Sequence, residues 1–246
     1  MLLNKILKVV LLLLGGIFIT LRGFDFEVEG AAVSALMLVL LTIVYCKWTE
    51  NKVKYFFWFL VTFTLGHVLS YSTWFLPEIQ EGQIDYYYYV ANILFIISYL
   101  FLITRMVSEL KFKDIFSELA IPIIVLVVLD VFCVILVTDT VEKAFSIYEY
   151  ALEFTYNAVI MALLSVALIN YMYRNDNKSM LMLLGSICIV FSEIIQLAYY
   201  YILDDSNLVF IFSFFLVVAF VLFYLQSQLT FTGPEPAFTD EQLEEI

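Results

Sequence analysis

Charge is scarce in this chain. Asp, Glu, Lys and Arg make up 15% of 246 residues against 63% hydrophobic ones, and the mean hydropathy is +0.97. Soluble domains carry about 25% charged residues, so this shortage excludes an ordinary water-soluble globule. Cysteine is rare too: Cys46, Cys133 and Cys188 all fall within apolar runs and lack CxxC spacing, which points to packed apolar side chains and not to a disulfide or metal framework. One histidine, His67, is too few for a multi-histidine metal centre. No Walker A loop, GxGxxG, HExxH, GxSxG or CxxCH is present, so no cofactor or metal is expected. A basic stripe is also missing, and with a formal charge of −12 the chain would repel nucleic acid.

What the chain has instead is a series of long apolar runs. A helix needs about 20 apolar residues to cross the hydrocarbon layer, and strand-like alternation is absent. Eight spans are predicted, at about 5–21, 28–46, 55–76, 86–106, 119–138, 147–171, 179–202 and 207–228. The first resembles a secretory signal in having Lys5 and Lys8 before its apolar core, but "GGIFITLRGFD" contains no clear small-x-small cleavage site, so it is retained as a helix. Lys5, Lys8, Lys47, Lys52, Lys54, Arg105, Lys111, Lys113, Arg174 and Lys178 fall on one side of this alternation, and only Arg22 and Lys143 on the other. That bias places both termini in the cytoplasm. The expectation is an all-α, polytopic bundle of eight transmembrane helices, residues 1–230, in a cell membrane such as a bacterial inner membrane, followed by a solvated acidic tail, 231–246. Aromatic clusters at span ends ("KYFFWF", "DYYYY", "AYYYI") read as interfacial belts.

Ionisable groups at membrane depth are costly, and each marks a candidate site. Span 3 carries His67, span 4 Asn92, span 5 Asp130, span 6 Glu153 and Asn157, and span 7 Glu193 and Gln196. With the cytoplasmic side fixed, these fall in the outer half of the membrane, with Asn157 near mid-depth. Helical spacing aligns Thr64, His67, Tyr71 and Trp74 on one face of span 3, Glu149, Glu153, Tyr156 and Asn157 on one face of span 6, and Ser186, Glu193, Gln196 and Tyr200 on one face of span 7. Interhelical hydrogen bonding that merely holds the bundle together is the competing explanation for any single member. Asp130 is ambiguous, because no cation inside a span pairs with it and it could serve a helix interface. Pro122 reads as a proline of an ordinary helix start.

Spans 3 and 7 echo one another: "FTLGHVLSY" and "VFSEIIQLAY" each give an apolar approach, a small residue, a titratable residue and a tyrosine. A duplication of four helices would preserve orientation and set His67 opposite Glu193.

Gly66-His67, Ser192-Glu193, the stretch Tyr156 to Met161 ("YNAVIM") and the aromatic-x-x-Gln of "FYLQSQL" together resemble motifs of the YhhN family of lysoplasmalogenase-like membrane proteins, in outline over spans 3 to 8. The family's Gly-Asp pair stands here as Gly66-His67, its Ser-Asp pair as Ser192-Glu193, and its span-4 histidine as Tyr99; its Lys-Pro near span 2 has no counterpart. The resemblance implies an eight-helix hydrolase of the vinyl ether of lysoplasmalogens or a related lysolipid bond. Such a reaction needs a general acid and a carboxylate to stabilise an oxocarbenium ion. Glu193 is the candidate acid and His67 the base, with the roles reversible if they share a proton. Tyr71, Tyr156, Asn157 and Gln196 would orient water and glycerol oxygens, and Asp130 and Glu153 complete the candidate substrate-binding set. The expected partner is a single-chain lipid. A small-molecule transporter and a non-enzymatic sensor or partner protein on the same fold are the alternatives; no span is visibly broken by paired Gly or Pro, although Gly15-Gly16 lies in span 1.

Overall fold

A computed structural model describes residues 2–49, 52–77, 83–108, 110–141 and 145–230. All regular structure among them is helical: α1 (Leu2–Gly23), α2 (Glu27–Trp48), α3 (Lys54–Thr73), α4 (Tyr86–Ser108), α5 (Phe112–Glu118), α6 (Ala120–Val141), α7 (Ile147–Arg174), α8 (Asn177–Tyr201) and α9 (Ser206–Ser227). The expected spans correspond to the eight long helices, and the short α5 precedes α6 where the sequence reading has a loop. Seven of the long helices, all except α3, are long and apolar enough to cross a membrane, and the protein is a multi-pass helical bundle. Lys143 and the expected acidic tail lie outside the described residues.

Local signals set the helix ends. A capping box begins α7, with the Ser146 side chain accepting from the Glu149 amide and the Glu149 carboxylate accepting from the Ser146 amide. Asn175 stops the same helix in the left-handed region, φ 48°, and Asp176 with Ser179 immediately caps α8. Glu149, expected on a polar face with Glu153, is thus occupied at its own helix start.

Packing follows a closed circuit. Neighbours run α1–α2–α3–α4–α7–α8–α9 and back to α1, while α6 packs on α7 from outside the circuit. The core inside it is largely aromatic: Phe59 stacks on Phe220 at 5.9 Å and meets Phe223 edge-on at 5.6 Å, and Phe63 lies 4.9 Å from Phe220. α6 keeps Ile121, Ile124, Val128 and Phe132 outward and exposed, as a lipid-facing helix does. The expected two-fold relation between four-helix halves does not survive this arrangement. The first helix of one half, α1, closes the circuit, whereas its counterpart α6 lies outside it, so the echo between α3 and α8 is local and not a symmetry of the bundle.

Candidate functional site

A cavity of about 450 Å³ opens at one end of the bundle. It is lined from all seven helices of the circuit: Phe18 and Arg22 of α1, Ala31 and Ser34 of α2, His67, Ser70 and Trp74 of α3, Tyr88, Asn92 and Phe95 of α4, Glu153, Tyr156 and Asn157 of α7, Glu193, Gln196 and Tyr200 of α8, and Phe212 and Leu216 of α9. These residues occupy the C-terminal halves of α1, α3 and α8 and the N-terminal halves of α2, α4, α7 and α9, so they belong to one layer. Ten of the twelve Lys and Arg lie toward the opposite end.

Glu193 is the most closely held of the carboxyls. Tyr99, with no exposed surface, donates a hydrogen bond from its hydroxyl to Glu193 Oε1, and the Tyr156 hydroxyl also interacts with the same carboxyl. One residue before it, Ser192 donates to the Phe212 carbonyl at 2.9 Å and so ties α8 to α9 at this level. Glu153, 6% exposed, accepts from the Tyr88 hydroxyl at 3.4 Å and interacts with Asn157, whose amide reaches Thr138 on α6 at 3.4 Å. Glu153 and Glu193 come from the adjacent helices α7 and α8, and both line the cavity.

His67 stands elsewhere on the wall. Its Nδ1 lies 3.3 Å from Ser34 Oγ of α2, and its ring packs against Phe63 at 4.9 Å and edge-on to Phe95 at 5.3 Å. The preceding Gly66 allows this: a Cβ there would come 2.6 Å from Phe95 Cε1, so a side chain would displace the ring that braces the imidazole. One turn earlier, Thr64 bonds Thr42 at 3.0 Å, fixing α3 to α2. His67 and Glu193 make no hydrogen bond or ion pair with one another; their side chains are tethered by partners on opposite neighbours, Ser34 for one and Tyr99 for the other. The direct proton-sharing pair expected from the sequence is therefore replaced by two groups facing a common space.

Two expected site residues are not in the cavity wall. Asp130 projects from α6, outside the circuit, and accepts a hydrogen bond from Ser165 of α7 at 2.8 Å, a helix-interface role. Tyr71 packs edge-on against Phe75 at 5.2 Å. The cavity-facing residues of α3 include His67, Ser70 and Trp74, which centre the face to one side of His67 and leave Tyr71 beyond its other edge. His67, Glu153, Tyr156, Asn157, Glu193 and Gln196 do come together.

Tyr99 and Tyr88 have no site role in the sequence reading, Tyr99 standing there only in place of the family's span-4 histidine, and Arg22 has none either. Tyr88, Asn92, Phe95 and Tyr99 recur at i, i+4, i+7 and i+11, one face of α4, a pattern that could have identified the first two. Arg22 was visible as an exception, a cation at the end where cations are otherwise nearly absent. Among the described residues no three His, Cys, Asp or Glu side chains are grouped to hold a metal ion. No protein-family model, no curated protein and no solved structure matches the chain.

Proposed function

We propose that this protein is a membrane-embedded hydrolase that opens the vinyl ether bond of a single-chain lysolipid, with α3 as an eighth crossing and both termini on the cytoplasmic side. The observation that carries this reading is the placement of Glu153 and Glu193, two carboxyls each bonded by a tyrosine, in the wall of one cavity that also exposes Phe18, Phe95 and Leu216 to an acyl or alkenyl chain. Its volume of about 450 Å³ falls within the range of ligand pockets. The positions at which the chain resembles the YhhN family, Gly66-His67, Tyr156 and Ser192-Glu193, come from three helices and meet at or beside this cavity, next to Tyr99, which stands in place of the family's span-4 histidine. α3 packs between α2 and α4, both apolar enough to cross, which supports its crossing with them.

The chemistry follows from the placement. Glu193, positioned by Tyr99 and Tyr156, gives a proton to the vinyl carbon distal to the ether oxygen, and the remaining carbon becomes an oxocarbenium ion. The Glu153 carboxylate faces the developing positive charge, as the second carboxylate of a glycosidase does. Water adds to the cation and loses its proton to His67. The hemiacetal then collapses to a fatty aldehyde and a free glycerol hydroxyl, and the proton on His67 returns to Glu193 through solvent. Expression in membranes that lack such activity, with an assay for aldehyde release, tests the scheme. Turnover by the wild type that Glu193→Gln abolishes is the expected result; no turnover, or turnover unaffected by Glu193→Gln, overturns it.

A further inference from the structure

Arg22 has no role in that scheme, yet its setting is unusual. It is 8% exposed, on the last turn of α1, and it lines the cavity. Its Nη2 donates to the Tyr200 hydroxyl at 3.3 Å, and its guanidinium lies over the Phe212 ring, 5.5 Å from the centroid. Among the described residues no carboxylate forms an ion pair with it: Asp25 accepts instead from Ser206, and Glu27 makes no such contact. A buried cation is ordinarily matched by an anion, and an aromatic face with one phenol is a partial substitute. The Tyr200 bond uses one of the two N–H groups of Nη2, and the other remains, beside the parallel N–H of Nη1 or of Nε, for the two-pronged contact that guanidinium makes with carboxylate or phosphate oxygens.

Its position is also built into the backbone. The aliphatic stem of Arg22 crosses α2 at Gly30, where an added Cβ would stand 2.6 Å from Arg22 Cδ and 2.9 Å from Cγ. Only a residue without a side chain leaves that channel open, so Gly30 directs the guanidinium toward the cavity. Below it, Phe18 and Leu216 continue the wall as apolar surface. The sequence of surfaces from the open end inward is therefore cationic, then apolar, with the carboxyl pair to one side.

We propose that Arg22 is the anchor for an oxyanion carried by a single-chain amphiphile, a phosphate ester at the polar end of the bound lipid. This deepens the lysolipid reading of the cavity and uses its apolar wall, but it does not depend on turnover. The test measures binding by the purified full-length protein in detergent of three probes: monooleoylglycerol phosphate, uncharged monooleoylglycerol and inorganic phosphate. None of them contains a vinyl ether, so chemistry does not interfere. The phosphate ester is expected to bind about tenfold or more tightly than the uncharged lipid, a difference of one charge-assisted contact. Arg22→Met should abolish that preference while leaving affinity for monooleoylglycerol unchanged, Arg22→Lys should retain part of it, and Gly30→Ala should reduce it with the charge intact.

Equal binding of the two lipids by the wild type overturns the proposal, as does an equal loss of both in Arg22→Met, which would make Arg22 a packing residue. Inorganic phosphate competing at the affinity of the ester would assign the anchor to a free anion and overturn the amphiphile. If the preference and its dependence on Arg22 hold while aldehyde release is absent, only the hydrolase reading fails. If aldehyde release depends on Glu193 while the preference ignores Arg22, only the anchor fails.

Discussion

Replacing Tyr99 with Phe isolates one interaction at the centre of the site. The Tyr99 ring packs 5.9 Å from Phe63 and 6.1 Å from Tyr156, centroid to centroid, and a phenylalanine ring retains both contacts, so no cavity forms and the whole cost is polar. Hydrogen bonds to charged groups in soluble proteins contribute about 1.5–3 kcal/mol, and those between membrane helices average about 0.6 with a maximum near 1.7. Glu193 keeps Tyr156 as a partner in the variant, which limits the loss to part of its network. Tyr99→Phe should therefore destabilise the bundle by about 1 kcal/mol. A double-mutant cycle with Glu193→Leu separates this pair from the surroundings, because the loss of the Tyr156 partner is common to the Glu193 single and the double change and cancels. Reversible unfolding of the four proteins in mixed micelles, titrated with a denaturing detergent, should give a coupling of about 1 kcal/mol between the two positions. Additivity within about 0.3 kcal/mol would mean that the Tyr99–Glu193 bond contributes nothing, and the account of how Glu193 is held would be wrong.

Two further outcomes follow from packing. Gly185→Ala should cost about 1–3 kcal/mol in the same unfolding assay, because its Cβ would stand 2.6 Å from Cε1 of Phe223, a side chain with no exposed surface, whereas Gly16→Ala, with nothing within 4 Å, should be neutral or stabilising. Asp130→Asn should leave aldehyde release and lipid binding at wild-type levels, since an amide oxygen still accepts from Ser165 and α6 stands outside the cavity; a loss of more than tenfold in either would return Asp130 to the site.

The positions of the helices were legible because the cost of unpaired backbone in lipid leaves long apolar runs with polar breaks, and caps such as Ser146 and Asp176 mark the breaks in the ordinary way. The shared depth of His67, Glu153 and Glu193 was legible for the same reason: alternating helices of nearly constant length convert sequence position into height. Lateral neighbours were not. Height says nothing about which helix stands beside which, so the choice between a helix-interface and a site role for Asp130 stayed open until α6 proved to lie outside the circuit, with α7, the helix of Glu153, within it. Tyr99 stood out only as a departure from the family's span-4 histidine, because a tyrosine in mid-span reads as packing unless its helical face is traced to Asn92 and Tyr88.

The two helices most unlike each other in composition explain why apolarity alone could not locate the site. α6 has only 6% of its most apolar window buried within the protein, and its one carboxyl is satisfied by Ser165. α3 falls short of the apolarity expected for a crossing helix because it carries Thr62, Thr64, His67, Ser70, Ser72 and Thr73; His67, Ser70 and Thr73 face the cavity, Thr64 fixes the helix to α2, and Thr62 and Ser72 donate to carbonyls of their own helix. A helix that meets lipid on most of its surface has no use for polar side chains, and a helix enclosed by neighbours can retain them where they find partners. Within this chain, then, a departure from apolarity marks enclosure, and enclosure at one end of the circuit is what brings an imidazole, the carboxyls of Asp85, Glu153 and Glu193, and Arg22 to a single space.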